Sequence, residues 1–194
     1  MLALALVPLI VAGFSPLLQW RQPLYILAGF AGIAAMGVML IQPLLAVGAL
    51  PGVGPGPGRR LHRAMGGILV LAVLLHIGGL WITSPPDVID VLLFRSPTPF
   101  GIWGALAMWA VFGAAIWAMF RRRLRLRLWR WGHTGLVAVA VVATVLHVIP
   151  VDGTMEVVTK WALSAGVLSA TALAIYRRRV WASVAWRWPG LSIR

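Results

Sequence analysis

"HRAMGGILVLAVLLH" spans residues 62–76 and "HTGLVAVAVVATVLH" spans residues 133–147. Each apolar run has a histidine at both ends, and together they use all four histidines of the chain. The step from His62 to His76, repeated from His133 to His147, is close to four helical turns. Both imidazoles of a run therefore share one helix face, about 21 Å apart along the axis. That separation fits inside a hydrocarbon core of roughly 30 Å.

The surrounding composition makes a membrane the natural setting. The chain has 194 residues, 61% of them hydrophobic and 11% charged, with a mean hydropathy of +0.92. Soluble domains are far more polar. Six apolar segments lie near residues 2–20, 24–49, 61–83, 100–120, 132–150 and 157–176. They predict an all-α, integral membrane six-helix bundle. Residues 1–20 read as a first transmembrane helix peripheral to the core. It lacks the positive n-region and the cleavage site of a signal peptide, and Pro8 and Pro16 are expected to kink it. Residues 21–176 form the core, and 177–194 a basic tail. The intervening stretches 51–60, 84–99, 121–131 and 151–156 read as connectors. "PGVGPGPG" (51–58) lacks the G-x-G-x-x-G spacing of a dinucleotide loop and is read as a flexible link. Cysteine is absent. That excludes disulfides, thiolate metal sites, cysteine-held iron–sulfur clusters and covalent haem attachment.

The net charge of +13 is unevenly distributed. Arg59, Arg60 and Arg63, six arginines from Arg121 to Arg130, and five from Arg177 to Arg194 fall on one side of the predicted membrane. Arg21, Arg95 and Lys160 fall on the other, with all four acids, Asp87, Asp90, Asp152 and Glu156. By the positive-inside rule the arginine-rich side is cytoplasmic, as are both termini of a six-span chain, and a bacterial inner membrane is the expected location. The basic charge is thus a membrane collar on anionic lipid rather than a nucleic-acid footprint. Trp181, Trp186 and Trp188 in the tail suit an interfacial segment.

With both histidine helices pointing the same way, His62 and His133 form an inner pair and His76 and His147 an outer pair. Neutral imidazole is a good iron ligand and needs no compensating charge. Two axial histidines close the coordination of a haem, which then transfers electrons without binding substrate. Simpler roles exist: hydrogen bonds between helices, or side chains facing headgroups. A haem-free transporter, or a proton or metal-ion relay, would use the same histidines, but relays usually recruit an acid, and none lies in these spans. A purely structural bundle leaves the matched spacing unexplained. On the histidine faces, Gly66 leaves room beside His62 for a flat macrocycle, and Thr144 sits one turn before His147 where it can orient the ring. Arg59, Arg60, Arg63 and Arg130 lie beside the inner pair, where propionates want cations. For the outer pair the candidates are Arg95, Lys160 or loop donors. Trp103, Trp109, Phe112 and Trp117 are candidates for an aromatic between the two levels.

The stretches "RRLHRAMGGILVLAVLLHIGGLW" and "RLWRWGHTGLVAVAVVATVLH" resemble the third and fifth helices of ferric reductase-like transmembrane domains. That superfamily includes NADPH oxidases, ferric reductases and the haem-binding membrane subunit of the periplasmic methionine-sulfoxide reductase system. The resemblance covers residues 24–176. It implies two haem b groups, held by His62 with His133 and by His76 with His147. It also implies electron flow from the cytoplasmic side to an outer acceptor: ferric iron, oxygen or a periplasmic partner reductase. Unlike the larger members, this chain has no flavin- or nicotinamide-binding domain. The expected donor is a separate flavoprotein, a bound flavin, or membrane quinol from the quinone pool.

Overall fold

The computed structural model describes residues 1–178, so the tail beyond them, with its tryptophans and last arginines, lies outside the described residues. The described residues form helices joined by short turns, with no strand among them. The helices are α1 (Leu2–Ala12), α2 (Pro23–Val47), α3 (Pro55–Thr83), α4 (Pro85–Leu92), α5 (Pro99–Met119), α6 (Leu126–Val148) and α7 (Val157–Arg178). Five of them, α2, α3, α5, α6 and α7, are long and apolar enough to cross a bilayer. Large apolar side chains such as Leu71, Leu74 and Leu75 of α3 and Val139 and Val142 of α6 are exposed. Water would penalise such a surface, whereas lipid accepts it. The chain is an integral membrane helical bundle.

Proline sets several helix starts. Pro23, Pro55, Pro85 and Pro99 each occupy the first turn, where the missing N–H costs nothing and the fixed φ suits the helix. Two expected connectors are shorter than read for this reason. The helix α3 begins at Pro55 inside "PGVGPGPG", so Arg59 and Arg60 are already helical, and α4 occupies half of the 84–99 stretch. The helix α2 stops at Gly48, whose φ of 65° is left-handed. The Ala49 N–H then donates to the Leu44 carbonyl at 2.9 Å, closing the helix end.

The expected first span differs most. Only Leu2–Ala12 is α-helical, 11 residues, or about 16 Å of rise, roughly half the hydrocarbon thickness. A turn at Gly13–Phe14 and a short 3-10 segment, Pro16–Leu18, follow. The helix α1 is thus too short to cross by itself. It lies in the groove between α2 and α7. A Cβ on Gly37 of α2 would sit 3.2 Å from the Ala5 carbonyl, and one on Gly166 of α7 would meet the Leu4 side chain at 2.6 Å. The two glycines let α1 approach this closely.

The long helices pair as two hairpins, α2 with α3 and α5 with α6, which make the most extensive contacts of the bundle. The helix α7 packs on α2 and α6, and α3 meets α5, closing a ring. Leu40, Leu163 and Val167 are fully buried in the core. The hairpins are two copies of one unit. "GFAGIAAM" (29–36) in α2 and "GIWGALAM" (101–108) in α5 share G-x-x-G-x-x-A-M, and each is followed by a helix with the same histidine spacing. Both copies run in the same direction, so they are related by an axis along the membrane normal.

Glu156 caps α7. Its carboxylate accepts from the Val158 and Thr159 N–H groups at 2.8 and 2.9 Å. These bonds hold its carboxyl below the usual range. A depressed carboxyl stabilises the fold above its unfolded pKa, and the effect is lost as pH falls through its folded pKa. Glu156→Ala should lower the thermal midpoint in detergent at neutral pH, with the difference from wild type disappearing below the carboxylate range.

Candidate haem-binding histidine pairs

All four histidines make the same kind of bond. His76 Nδ1 lies 2.8 Å from the Ala28 carbonyl of α2, and His147 Nδ1 lies 2.9 Å from the Phe100 carbonyl of α5. His62 Nδ1 is 3.0 Å from the Gln42 carbonyl and His133 Nδ1 is 3.3 Å from that of Ala114. The acceptors lie 48 and 47 residues upstream for the outer histidines, and 20 and 19 for the inner ones. The two hairpins thus repeat the arrangement almost residue for residue.

The chemistry follows from the acceptor. A carbonyl oxygen only accepts, so the proton of each neutral imidazole resides on Nδ1. The Nε2 lone pair is left for another partner. Each accepting carbonyl belongs to a helix and uses its second lone pair for the histidine. The residue one turn further on must be small, or its side chain would block the ring. At the outer level these residues are Gly32 and Gly104. A Cβ on Gly32 would lie 3.0 Å from His76 Nδ1, and one on Gly104 would lie 2.8 Å from His147 Nδ1. At the inner level they are Ala46 and Ala118.

The inner histidines meet across the bundle. The rings of His62 and His133 have centroids 6.4 Å apart and planes crossed at 79°. Trp129 stacks on His133 at 5.4 Å with planes 10° apart. The Arg121 guanidinium lies over the Trp129 ring, 5.1 Å from its centroid, and Trp117 Nε1 donates to the Trp129 carbonyl at 3.2 Å. A continuous stack thus runs from the arginine-rich turn to the inner histidine. Two buried polar atoms flank this level without a partner among the described residues, Gln42 Oε1 and Trp129 Nε1. On the outer level Phe100 meets His147 edge-on at 6.0 Å.

The other expected site residues are placed as follows. Gly66 faces α2: a Cβ there would lie 3.3 Å from Gln42 Nε2, so the Gln42 amide takes the space beside His62 on that side. Thr144 is half-buried on the His147 face. Arg59, Arg60 and Arg63 are exposed around His62, and Arg130 is half-buried one turn before His133. Trp109 is 56% exposed and packs edge-on with Phe112, which suits a lipid-facing belt. The residues missing from the sequence reading are Gln42, Trp129, Gly32 and Gly104. The repeated G-x-x-G-x-x-A-M was the signal for the two glycines.

Comparison with protein-family models, with curated proteins and with solved structures returns no match. The site therefore stands on its own geometry. Gly104→Ala should cost about 1–3 kcal/mol, the usual range for overpacking, because its methyl displaces His147 from the Phe100 carbonyl. Gly29→Ala, where a Cβ meets nothing within 4 Å, should be neutral or stabilising. Unfolding of the two variants in detergent checks the difference in sign.

Proposed function

We propose that this chain carries electrons across the membrane through two haem b groups, one between His62 and His133 and one between His76 and His147. The observation that carries the reading is the fourfold Nδ1–carbonyl bond, which puts the proton of each neutral ring on Nδ1 and makes Nε2 its basic nitrogen. Three further features fit a haem. Two imidazoles on opposite sides of one metal, each bonded at about 2.0 Å, have centroids about 6 Å apart, close to the 6.4 Å of the inner pair. Among the described residues no group of three or more His, Asp or Glu side chains converges as a metal site. A metal held by two histidines must then bring its own remaining ligands, as a porphyrin does. The unpartnered Gln42 Oε1 and Trp129 Nε1 supply polar atoms at the inner level, where a polar-edged ligand would use them.

A haem held by each histidine pair would supply reversible one-electron transfer. The protein's own part is to fix the ring planes, hold the protons on Nδ1 and keep water out. The apolar run between the histidines of each helix sets the step between the two levels. The arginines at the start of α3, between α5 and α6, and at the end of α7 share one side of the five long helices whatever α1 does. Read by the positive-inside rule, that side is cytoplasmic, and the membrane a bacterial inner membrane. The donor side is then the inner pair, reached through the Arg121–Trp129–His133 stack. A separate flavoprotein, flavin or quinol fits there. The acceptor, ferric iron, oxygen or a partner reductase, works at the outer pair. This is the arrangement of ferric reductase-like domains, which the histidine helices resemble.

Purified protein should show a Soret band, with sharp α and β bands after reduction by dithionite. His76→Ala and His147→Ala should each lose one of two haems, and His62→Ala and His133→Ala the other. A colourless preparation that is fully folded would refute the reading and leave a haem-free ion relay as the use of these histidines.

A further inference from the structure

Lys160 is the least expected residue of α7. It is 4% exposed, on a helix that packs against α1, α2 and α6. Its Nζ donates to the Val151 carbonyl, in the turn just after α6. Among the described residues that is its only side-chain hydrogen bond, and it forms no ion pair with any of them. The nearest acids in sequence are otherwise placed: Glu156 is spent on the α7 N-terminus, and Asp152 is exposed. A buried cation in a membrane protein without a counter-charge is costly, and a neutral carbonyl compensates it only in part.

Its position gives the missing charge a location. Val151 lies in the turn that follows α6, four residues after His147. The ammonium is therefore held at the end of the bundle that carries the outer histidines. The arginine collar that surrounds the inner level has no counterpart here. Of the three basic residues on this side, Arg21 lies over the Tyr25 ring at the start of α2 and Arg95 is exposed after α4. Lys160 is the buried one.

We infer that Lys160 is the anion anchor of the outer histidine pair and takes a carboxylate. That carboxylate is either a propionate of the haem between His76 and His147 or the carboxylate of a solute arriving from outside. This inference rests on the two-haem reading above. Its electrostatic consequence has a fixed sign. Without the ammonium, the carboxylate's negative charge is uncompensated, which favours the ferric over the ferrous state and lowers the midpoint potential of the outer haem.

The test is a spectroelectrochemical titration of the full-length haem-loaded protein, resolved into its two one-electron steps. Lys160→Gln keeps a donor for the Val151 carbonyl and removes the charge, and Lys160→Arg keeps both. K160Q should shift one step about tenfold in its equilibrium constant, about 59 mV downward, and leave the other within about twofold. K160R should restore the wild-type value. The titration repeated in acetate and in chloride at matched ionic strength separates the sources. A wild-type midpoint indifferent to acetate identifies a propionate. A midpoint that moves with acetate, and no longer does so in K160Q, identifies a carboxylate from solution. Both haems retained at unchanged midpoints in K160Q would overturn the inference and leave Lys160 as an end cap of α6, with the two-haem reading intact. If K160Q loses haem, K160R decides: unchanged midpoints sustain the charge role, and loss of haem there too overturns it. Wild-type protein that binds no haem overturns the underlying reading and this inference with it.

Discussion

The hydrogen bond from a histidine Nδ1 to a carbonyl of the neighbouring helix organises this bundle. It satisfies a polar group that a hydrocarbon interior would otherwise penalise by several kcal/mol. It also decides which nitrogen is protonated, fixes the ring plane and directs Nε2 away from its own hairpin. Close helix approach makes the bond possible. A Cβ on Gly79 of α3 would lie only 2.7 Å from the Ala28 Cβ of α2, one turn from His76. The small residues of α2 and α5 are therefore part of the site, although none of them carries a functional group.

The repeated hairpin explains why each level has two imidazoles. One hairpin supplies an inner and an outer imidazole, and a second hairpin in the same orientation supplies their partners. A single hairpin has nothing opposite its histidines. The copies are no longer equivalent. Gln42 brings a buried carboxamide where the second hairpin has Ala114, and Trp129 stacks on His133 alone. Both differences fall at the inner level. The outer level is instead marked by a lysine contributed by α7, which belongs to neither hairpin. The two levels thus have different polar surroundings, which is the lever a protein uses to separate the potentials of otherwise identical centres.

Side-chain chemistry was legible in the sequence, and backbone chemistry was not. The histidine spacing, the apolar runs and the side of the arginines are written in residue types, and the five long helices match them. The carbonyls of Ala28, Gln42, Phe100 and Ala114 carry no such letter. They were traceable only through the small residues that expose them. "PGVGPGPG" read as a flexible link because proline and glycine usually break helices, yet Pro55 and Pro57 stand in the first turn, where proline starts one. Hydropathy could not resolve residues 1–20 either. The segment is apolar throughout, and its turn at Gly13–Phe14 leaves the average unchanged. Lys160 reads in the sequence only as one of several candidates beside the outer pair, since its burial is a property of the packed bundle.

On the two-haem proposal, the Nδ1–carbonyl bonds make Nε2 the ligating nitrogen of each paired histidine. Electron paramagnetic resonance of the oxidised wild-type protein tests it most directly, because the signal reports both axial ligands and the angle between their planes. The 79° crossing of His62 and His133 predicts a low-spin ferric signal of the large-g type that crossed axial imidazoles produce, for the inner centre. A high-spin signal, or no ferric haem signal from folded protein, would contradict the account.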